Sequence, residues 1–274
     1  VMYPEAGFTK RDVAAYYEAV AGVILPQLRD RVVTRIRFPD GVGAERFFEK
    51  NTPRYMPGWI REVTVSASPG ANKDAKQVRY PVIDNLGGLL WMANQAALEL
   101  HTPQWRVGPR GGVRKPDRLV IDLDPGEGRG LDDVAEIAHI LRERLEEDGL
   151  ETVPVTSGSK GIHLYAPMDG KRTSLQVHAY VRDLARGLAE QHPERIVAVQ
   201  AKEQRVGKVM IDWSQNHPAR STVTPFSLRG KTRPAVAAPR RWDEIGPGVT
   251  QLGPEEVIDR LDELGGLLSA GERA

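Results

Sequence analysis

An apolar run that contains two aspartates constrains the fold of this chain more than any other segment. Residues 119–125 read LVIDLDP, and alternate residues of a β-strand share a face, so Asp122 and Asp124 would point the same way, about 7 Å apart. Two carboxylates that approach to 4 Å near a protein surface repel each other by about 4 kcal/mol. A divalent cation removes this repulsion, and oxygen ligands suit Mg²⁺ or Mn²⁺. The alternative is a solvated strand end before the turn at Pro125.

A glycine-containing turn lies between two β-like runs at residues 157–161, which read SGSKG. Glycine lets a backbone approach a ligand closely, and the hydroxyls, the N–H groups and Lys160 suit a phosphate chain. The turn is not a Walker A loop, because the required spacing of glycine, lysine and serine is missing. An ordinary polar hairpin turn remains an alternative here, and His163 alone would fit a structural histidine.

Two further polar residues follow apolar runs. Asp212 closes the run that begins at Lys208, and an acid in that position is costly to bury unless it is paired or bound to metal. Only a fold that sets the two strands side by side can unite Asp212 with Asp122. Arg229 lies in the segment Pro225-Phe-Ser-Leu-Arg-Gly-Lys231, where a fixed guanidinium can bind a triphosphate with two parallel hydrogen bonds.

The four motifs, in this order and spacing, resemble the polymerase domain of bacterial ATP-dependent DNA ligase D, a member of the archaeo-eukaryotic primase superfamily. Further matches lie at residues 47–51, 97–105 and 234–240, and the resemblance runs from residue 1 to about 264. It implies an α+β fold in which two sheet-based lobes flank a catalytic cleft. It also implies a single primase-polymerase domain over residues 1–274, whose catalytic lobe has metal-binding strands at 119–124 and 207–213.

The resemblance assigns roles to individual residues. Asp122, Asp124 and Asp212 would be the catalytic acids and would bind two ions of Mn²⁺ or Mg²⁺, as two-metal nucleotidyl transfer requires. The incoming NTP or dNTP, with ribonucleotides preferred, would be bound by Ser157, Lys160, His163, Gln215, Arg229 and His101.

DNA contacts are expected on the N-terminal lobe, at Lys10, Arg37, Phe47, Phe48 and Lys50. One of the two phenylalanines is expected to be buried and at least one to stack on template bases. Lys10 matches one of two lysines that grip a downstream 5′-phosphate in the family. The other would precede Val1, which suggests a trimmed chain or a disordered leader, and Ile36 replaces a family lysine. We therefore expect only a modest preference for a 5′-phosphate.

The implied function is template-dependent addition of nucleotides to DNA ends or gaps during double-strand break repair by non-homologous end joining. The expected partners are DNA with a gap, an overhang or a 5′-phosphate, together with Ku and a ligase domain. Three alternatives stay open. They are a free-standing primase-polymerase in gap filling or excision repair, a metal-dependent phosphoesterase, and a non-catalytic module that bridges DNA ends.

Composition is compatible with a folded enzyme of this kind. A net charge of +1 leaves DNA contact to local patches, and the C-terminal basic residues are either part of a duplex path or a solvated face (Arg229, Lys231, Arg233, Arg240 and Arg241). The chain has no cysteine, which fits a reducing compartment, and it contains no apolar run of membrane-spanning length. We expect a cytoplasmic, nucleoid-associated bacterial protein without membrane contact.

Periodicity predicts the main elements. Thr9 is the predicted N-cap of a helix with an apolar stripe from Val13 to Ile24, which Pro26 perturbs or ends. Strands are predicted at 32–38, 62–65 and 78–82, and helices at 89–100, 134–145, 175–188 and 255–264.

Overall fold

The computed structural model describes residues 1–66 and 77–270, and these form a mixed α+β fold. This confirms the fold class expected from the sequence. The helices are α1 (Lys10–Ala19), α2 (Ala21–Leu28), α3 (Leu86–Asn94), α4 (Leu131–Glu147), α5 (Ser174–Gln191), α6 (Pro254–Asp259) and α7 (Leu261–Ala270). None of the helices in these two ranges is both long and apolar enough to cross a membrane.

A six-stranded sheet carries the paired aspartates. Its spatial order is β11 (Ile196–Val197), β12 (Val209–Asp212), β8 (Arg118–Pro125), β10 (Ile162–Pro167), β9 (Val153–Thr156) and β16 (Ala238–Pro239). Strand β8 runs antiparallel to β12 on one side and to β10 on the other. Leu119, Ile121 and Leu123 of β8 are buried in a core with residues of α4 and α5. The opposite face of β8 therefore presents Asp122 and Asp124.

A second, four-stranded sheet belongs to the N-terminal part of the chain. Its order is β13 (Thr222–Val223), β5 (Ala97–Thr102), β1 (Thr34–Arg37) and β2 (Phe47–Glu49), and every neighbouring pair is antiparallel. Three antiparallel ribbons complete the strands, β3 (Arg61–Ser66) with β4 (Gln77–Val82), β6 (Trp105–Val107) with β7 (Val113–Pro116), and β14 (Leu228–Arg229) with β15 (Ala235–Val236). A second core joins this sheet to α1, α2 and α3. The grouping of all these elements into one catalytic domain stays a prediction.

The N-cap prediction for the first helix is confirmed. The Thr9 hydroxyl accepts a hydrogen bond from the Asp12 backbone N–H, and the Asp12 carboxylate accepts one from the Thr9 N–H at 2.7 Å. The predicted apolar stripe is buried, but the chain breaks at Val20 into α1 and α2. Pro26 lies inside α2, which ends two residues later at Leu28, as expected for a residue that lacks a backbone donor.

The predicted helix at 89–100 is wrong over its second half. Helix α3 ends at Asn94, Ala96 adopts a positive φ of 56°, and Ala97–Thr102 form strand β5 between β1 and β13. Leu98 and Leu100 enter the core, so Glu99 and His101 face the opposite side. Strand pairing on both sides prevails over the helix propensity of the run ALEL, because propensity is the weaker determinant. The correction matters for the site, since β5 delivers Glu99 and His101 to it.

Candidate active site

The three predicted catalytic acids are brought together by strand register. Asp212 of β12 pairs directly with Asp122 of β8, and His163 of β10 pairs with Asp122 from the other side. Directly opposed residues of antiparallel strands share a face, and so do residues at i and i+2. Asp122, Asp124, Asp212 and His163 therefore lie on one face of the sheet. The structure therefore sets the strands of Asp122 and Asp212 side by side, which is the arrangement that uniting the two acids requires.

Polar contacts hold two of these acids in place. His163 Nε2 lies 3.2 Å from Asp122 Oδ1. The Asp212 carboxylate accepts hydrogen bonds from the Ser214 backbone N–H at 2.8 Å and from Gln200 Nε2 and Gln215 Nε2, each at 3.0 Å. Three donors compensate for the burial of this charge. Gln215, predicted to contact the nucleotide, is thus found against an acid, and Gln200 is a neighbour that the sequence did not single out.

Electrostatic repulsion is concentrated at Asp124. The negative charge of Asp122 and burial raise the pKa of Asp124, Asp212 raises it further, and His163 and Arg205 act in the opposite direction. Arg205 reaches this region because Gly126, directly after β8, packs against the 205–208 segment. A Cβ on Gly126 would lie 1.8 Å from the Arg205 carbonyl oxygen. The Arg205 side chain in turn hydrogen-bonds Gln200, the donor to Asp212.

Carboxylate oxygens are the donors that Mg²⁺ and Mn²⁺ prefer, and the mutual repulsion of Asp122 and Asp124 is the kind that a cation relieves. The residues therefore fit a divalent cation by their chemistry. Within the described ranges, however, no three His, Cys, Asp or Glu side chains converge on one metal-sized point. Asp212 points towards its amide donors instead. Binding of two ions here stays a prediction.

The turn at Ser157 is built around the serine hydroxyl. Ser157 Oγ accepts hydrogen bonds from the Ser159 N–H at 3.2 Å and the Gly161 N–H at 3.1 Å. Gly158 has a φ of +66°, and a Cβ there would lie 2.6 Å from Arg229 Cγ. Only glycine can therefore bring this turn against the arginine. Gln251, which the sequence did not indicate, donates to the Gly161 carbonyl and accepts from the Gly158 N–H.

Arg229 is held between the turn and a buried acid. Its guanidinium donates to the Ser157 carbonyl, and its Nε lies 3.3 Å from Glu99 Oε2 as an ion pair. Glu99 also accepts from the Gly230 N–H at 2.9 Å and lies 2.9 Å from His101 Nε2. These partners lower the pKa of Glu99 to about 2 despite its burial. The sequence signal for Glu99 was an acid that alternates with two leucines, a strand pattern that the predicted helix concealed.

A group of positive charges surrounds Arg229. Burial lowers the pKa of Lys231, and the nearby charges of Arg229, Arg46 and Lys160 lower it further. Lys160 itself is exposed at the end of the turn. His101 and His163 also lie near each other, since the charge of His163 acts to lower the pKa of His101. Glu99 offsets part of this charge, and the excess of cations over acids is what a polyphosphate requires. Of the predicted nucleotide residues, Ser157, Lys160 and Arg229 meet here.

The predicted DNA residues lie on α1, β1 and β2 and directly after β2. Lys10 donates to the Asn94 carbonyl at the end of α3, and Arg37 donates to the next carbonyl, Gln95, at 2.7 Å. Phe47 and Phe48 lie on the edge strand β2, and Lys50 Nζ sits 5.9 Å from the Phe48 ring centre.

Two expectations about exposure are corrected. Both phenylalanines are exposed, 42% for Phe47 and 59% for Phe48, so the expected burial of one of them is wrong. β2 is a three-residue edge strand in which Phe47 and Phe48 are exposed and only Glu49 is partly covered. Arg240 is not part of a basic surface, because it is buried and ion-paired with Glu244, which also binds Arg260.

Comparison with known families and proteins gives a consistent result. The family described as "LigD, primase-polymerase domain" matches residues 9–268. The multifunctional non-homologous end joining protein LigD of Mycolicibacterium smegmatis is 44% identical over 270 residues, which cover 98% of this chain and 34% of that protein. The bifunctional LigD of Bacillus subtilis is 31% identical over 260 residues, covering 94% of this chain and 40% of that protein. The chain thus spans a little over a third of these relatives.

A solved structure matches over the full chain. The polymerase domain of Mycobacterium tuberculosis ligase D, determined in complex with DNA, superposes with a TM-score of 0.92 at 42% sequence identity. The match covers 100% of this chain and 96% of that one.

Proposed function

The chain belongs to the LigD primase-polymerase family, and we propose that it adds nucleotides to the 3′ end of a DNA primer opposite a template, at gaps and broken ends. Membership of this family makes it a nucleotidyltransferase. The observation that carries the proposal is the shared face of Asp122, Asp124 and Asp212 beside a cationic turn. An acidic group next to a polyphosphate site is the arrangement that nucleotidyl transfer needs.

We assign Asp122, Asp124 and Asp212 as the residues that hold two divalent cations, Mn²⁺ or Mg²⁺. When bound, the cations would supply activation of the primer hydroxyl and neutralisation of the charge on the leaving pyrophosphate. The amide groups of Gln200 and Gln215 fix the Asp212 carboxylate, and His163 fixes that of Asp122. Fixed carboxylates lose little entropy on binding an ion, which favours a defined geometry.

We assign the triphosphate to the turn at Ser157 and to the cations beside it. Lys160, Arg229 and Lys231 would hold the phosphates, and Glu99 would keep the Arg229 guanidinium aimed at them. His101 would lie at the edge of this site through its bond to Glu99. We further propose that ribonucleotides are preferred, in line with the family resemblance of the motifs.

We propose that this activity serves non-homologous end joining, because several relatives are named as end-joining proteins. Those relatives are about two and a half to three times as long as this chain, so a ligase domain and Ku are proposed partners in the same repair event. The DNA substrate would carry a gap, an overhang or a 5′-phosphate. Such a role would place the protein at the bacterial nucleoid in the cytoplasm.

The direct test is incubation of the chain with a gapped duplex, Mn²⁺ or Mg²⁺ and a labelled UTP or dTTP. We expect template-dependent addition of one or a few nucleotides, faster with UTP, and no addition by Asp122→Asn. The Leu175→Ala variant, altered at an exposed side chain of α5, is the matched control and should behave as the parent.

Four results would contradict the proposal, each in a different part. Shortening of the DNA would favour a phosphoesterase or nuclease. Tight DNA binding without nucleotide addition, with either Mn²⁺ or Mg²⁺ present, would favour a non-catalytic bridging module. Nucleotide addition that does not depend on the template base would contradict the proposed use of a template. Faster addition of dTTP would contradict the ribonucleotide preference alone.

A further inference from the structure

The exposed aromatic side chains of the described ranges are confined to one short segment. Four aromatic residues are exposed there, and all lie within residues 47–59, namely Phe47, Phe48, Tyr55 and Trp59. Tyr55 is 61% exposed and Trp59 is 59% exposed, although the chain has 17 aromatic residues in all. A single exposed apolar residue needs no explanation, but a cluster of exposed aromatics marks a binding surface. Tyr55 and Trp59 have no role in the function described so far.

Two consecutive turns present Tyr55 and Trp59 in equivalent positions. The segment reads Pro-Arg-Tyr-Met followed by Pro-Gly-Trp-Ile, residues 53–56 and 57–60. In each turn the fourth residue donates its N–H to the proline carbonyl, at 3.1 Å for Met56 and 3.0 Å for Ile60. Ile60 is buried and Met56 packs against the same core. The inward aliphatic residues and the proline rings fix each turn, so the two aromatic rings are held outward at low entropic cost on binding.

Both rings border helix α3. The Tyr55 hydroxyl donates to Gln95 Oε1 at 3.0 Å, just beyond the C-terminal end of the helix. At the N-terminal end, a Cβ added to Gly87 would lie 3.4 Å from the Trp59 ring, so the ring lies over this glycine. The two aromatic side chains therefore follow the length of the helix.

The charged neighbours connect this surface to the predicted DNA contacts. Lys10 binds the Asn94 carbonyl and Arg37 binds the Gln95 carbonyl, so both cations lie at the same helix end as Tyr55. Arg37 is also ion-paired with Glu49 of β2, the strand that carries Phe47 and Phe48. The ring of Tyr55 thus continues the surface formed by residues 47 and 48, with Lys10 and Arg37 beside it, and the ring of Trp59 extends that surface to the other end of α3. Aromatic rings interleaved with cations are the composition of single-stranded nucleic-acid sites.

We propose that Tyr55 and Trp59 form a second aromatic platform, which stacks on unpaired bases of a DNA overhang. The platform means the two side chains of residues 55 and 59. This inference rests on the proposed function, and it adds an occupant for a surface that the nucleotide-addition chemistry does not use. A duplex end without unpaired bases offers no free base faces to these rings. The platform would therefore discriminate overhangs from blunt ends.

The test is titration of fluorescent DNA by anisotropy, with one duplex that carries a single-stranded overhang and one blunt duplex of the same length. Alanine substitution of one stacked aromatic weakens binding by about 5-fold or more. We expect Tyr55→Ala and Trp59→Ala each to show this loss on the overhang, with a larger loss in the double variant and an unchanged blunt affinity. Tyr55→Phe keeps the ring and should remain near the parent. Leu175→Ala is the matched control for loss of an exposed apolar side chain.

The salt dependence of binding gives a second readout. Loss of a phosphate contact would change it, whereas loss of stacking would not. Stacking releases no counterions, so the slope of log affinity against log salt should be the same for the parent and the double variant. Unchanged thermal unfolding of the variants, expected from their exposure, confirms that the fold is intact.

Equal affinity of the parent and the double variant for the overhang would overturn the inference and would favour a protein partner for this surface. An equal loss on blunt and overhanging DNA would also overturn it. Nucleotide addition by the parent on the gapped duplex is measured in parallel. If the parent adds nucleotides while the platform variants bind normally, the inference fails and the proposed function stands. If the parent adds none, the proposed function itself fails.

Discussion

The centre of the six-stranded sheet and the edge of the four-stranded sheet illustrate two ways of presenting functional side chains. Asp122 on β8 has a paired strand on each side, so His163 and Asp212 reach it in fixed register. Phe47 and Phe48 on β2 pair with Arg37 and Ile36 of β1 on one side only. A central strand fixes the positions of charges, whereas an edge strand leaves side chains open to a large ligand. In the proposed function, chemistry and recognition are divided accordingly.

The largest effect is expected at the centre. Replacing Asp122, Asp124 or Asp212 by asparagine should lower the rate of nucleotide addition by at least about 1,000-fold, because metal-assisted charge stabilisation is worth several kcal/mol. DNA affinity should change little, since none of the three acids is a predicted DNA contact. Single-turnover primer extension and DNA anisotropy measure the two effects separately. Retained extension by any of the three variants would remove that acid from the catalytic set.

A smaller effect is expected at the nucleotide site. Arg229→Ala should raise the KM for the nucleotide about 10-fold to 100-fold, the range for hydrogen bonds to a charged group. Glu99→Gln should reproduce part of this loss, because the amide cannot hold the guanidinium by charge. Steady-state kinetics at saturating DNA tests both variants. Comparable losses in DNA affinity would show instead that Arg229 belongs to the DNA path or to the fold.

The repulsion at the centre also predicts a pH-dependent stability. The pKa of Asp124 is raised in the folded protein from its ordinary value of 3.8 to about 6. Between these two values the folded state holds a proton that the unfolded state releases, so the free energy of unfolding falls as the pH rises from one value to the other. Asp124→Asn removes the penalty. Its Tm should exceed that of the parent by about 2 °C or more at pH 7.5, with the difference shrinking towards pH 4. Differential scanning calorimetry without divalent cations measures this, and a variant less stable at every pH would contradict the assigned repulsion.

The smallest effect is expected at the edge. Lys10→Ala should weaken binding of a gapped duplex only a few-fold and reduce the slope of log affinity against log salt by about 0.7–0.9, the value for one phosphate contact. The loss should be larger when the downstream strand carries a 5′-phosphate. Identical slopes for the two proteins would place Lys10 outside the phosphate path, as a residue that only caps α3 through Asn94.

The sequence predicted the centre better than the edge, for physical reasons. Asp122 and Asp124 follow the two-residue period of a buried strand, and Thr9 caps α1 through a local contact, so both could be read from neighbouring residues. Glu99 was not predicted as a site residue, because the run around it has helix propensity. Only the pairing of that run with β1 makes it a strand. The exposure of both phenylalanines depends on what packs over β2, which no local pattern encodes. Gln200 reaches Asp212, and Arg205 reaches Gln200, through the irregular segment just before β12, whose path no periodicity predicts.

The most direct test of the account is a Mn²⁺ titration, followed by the electron paramagnetic resonance signal of the free ion, in the presence of a non-hydrolysable nucleoside triphosphate. We expect the parent to bind two ions and the Asp122→Asn, Asp124→Asn double variant to lose this binding while its far-ultraviolet circular dichroism is unchanged. Equal stoichiometry and affinity in the two proteins would contradict the claim that the acids on β8 hold the metals.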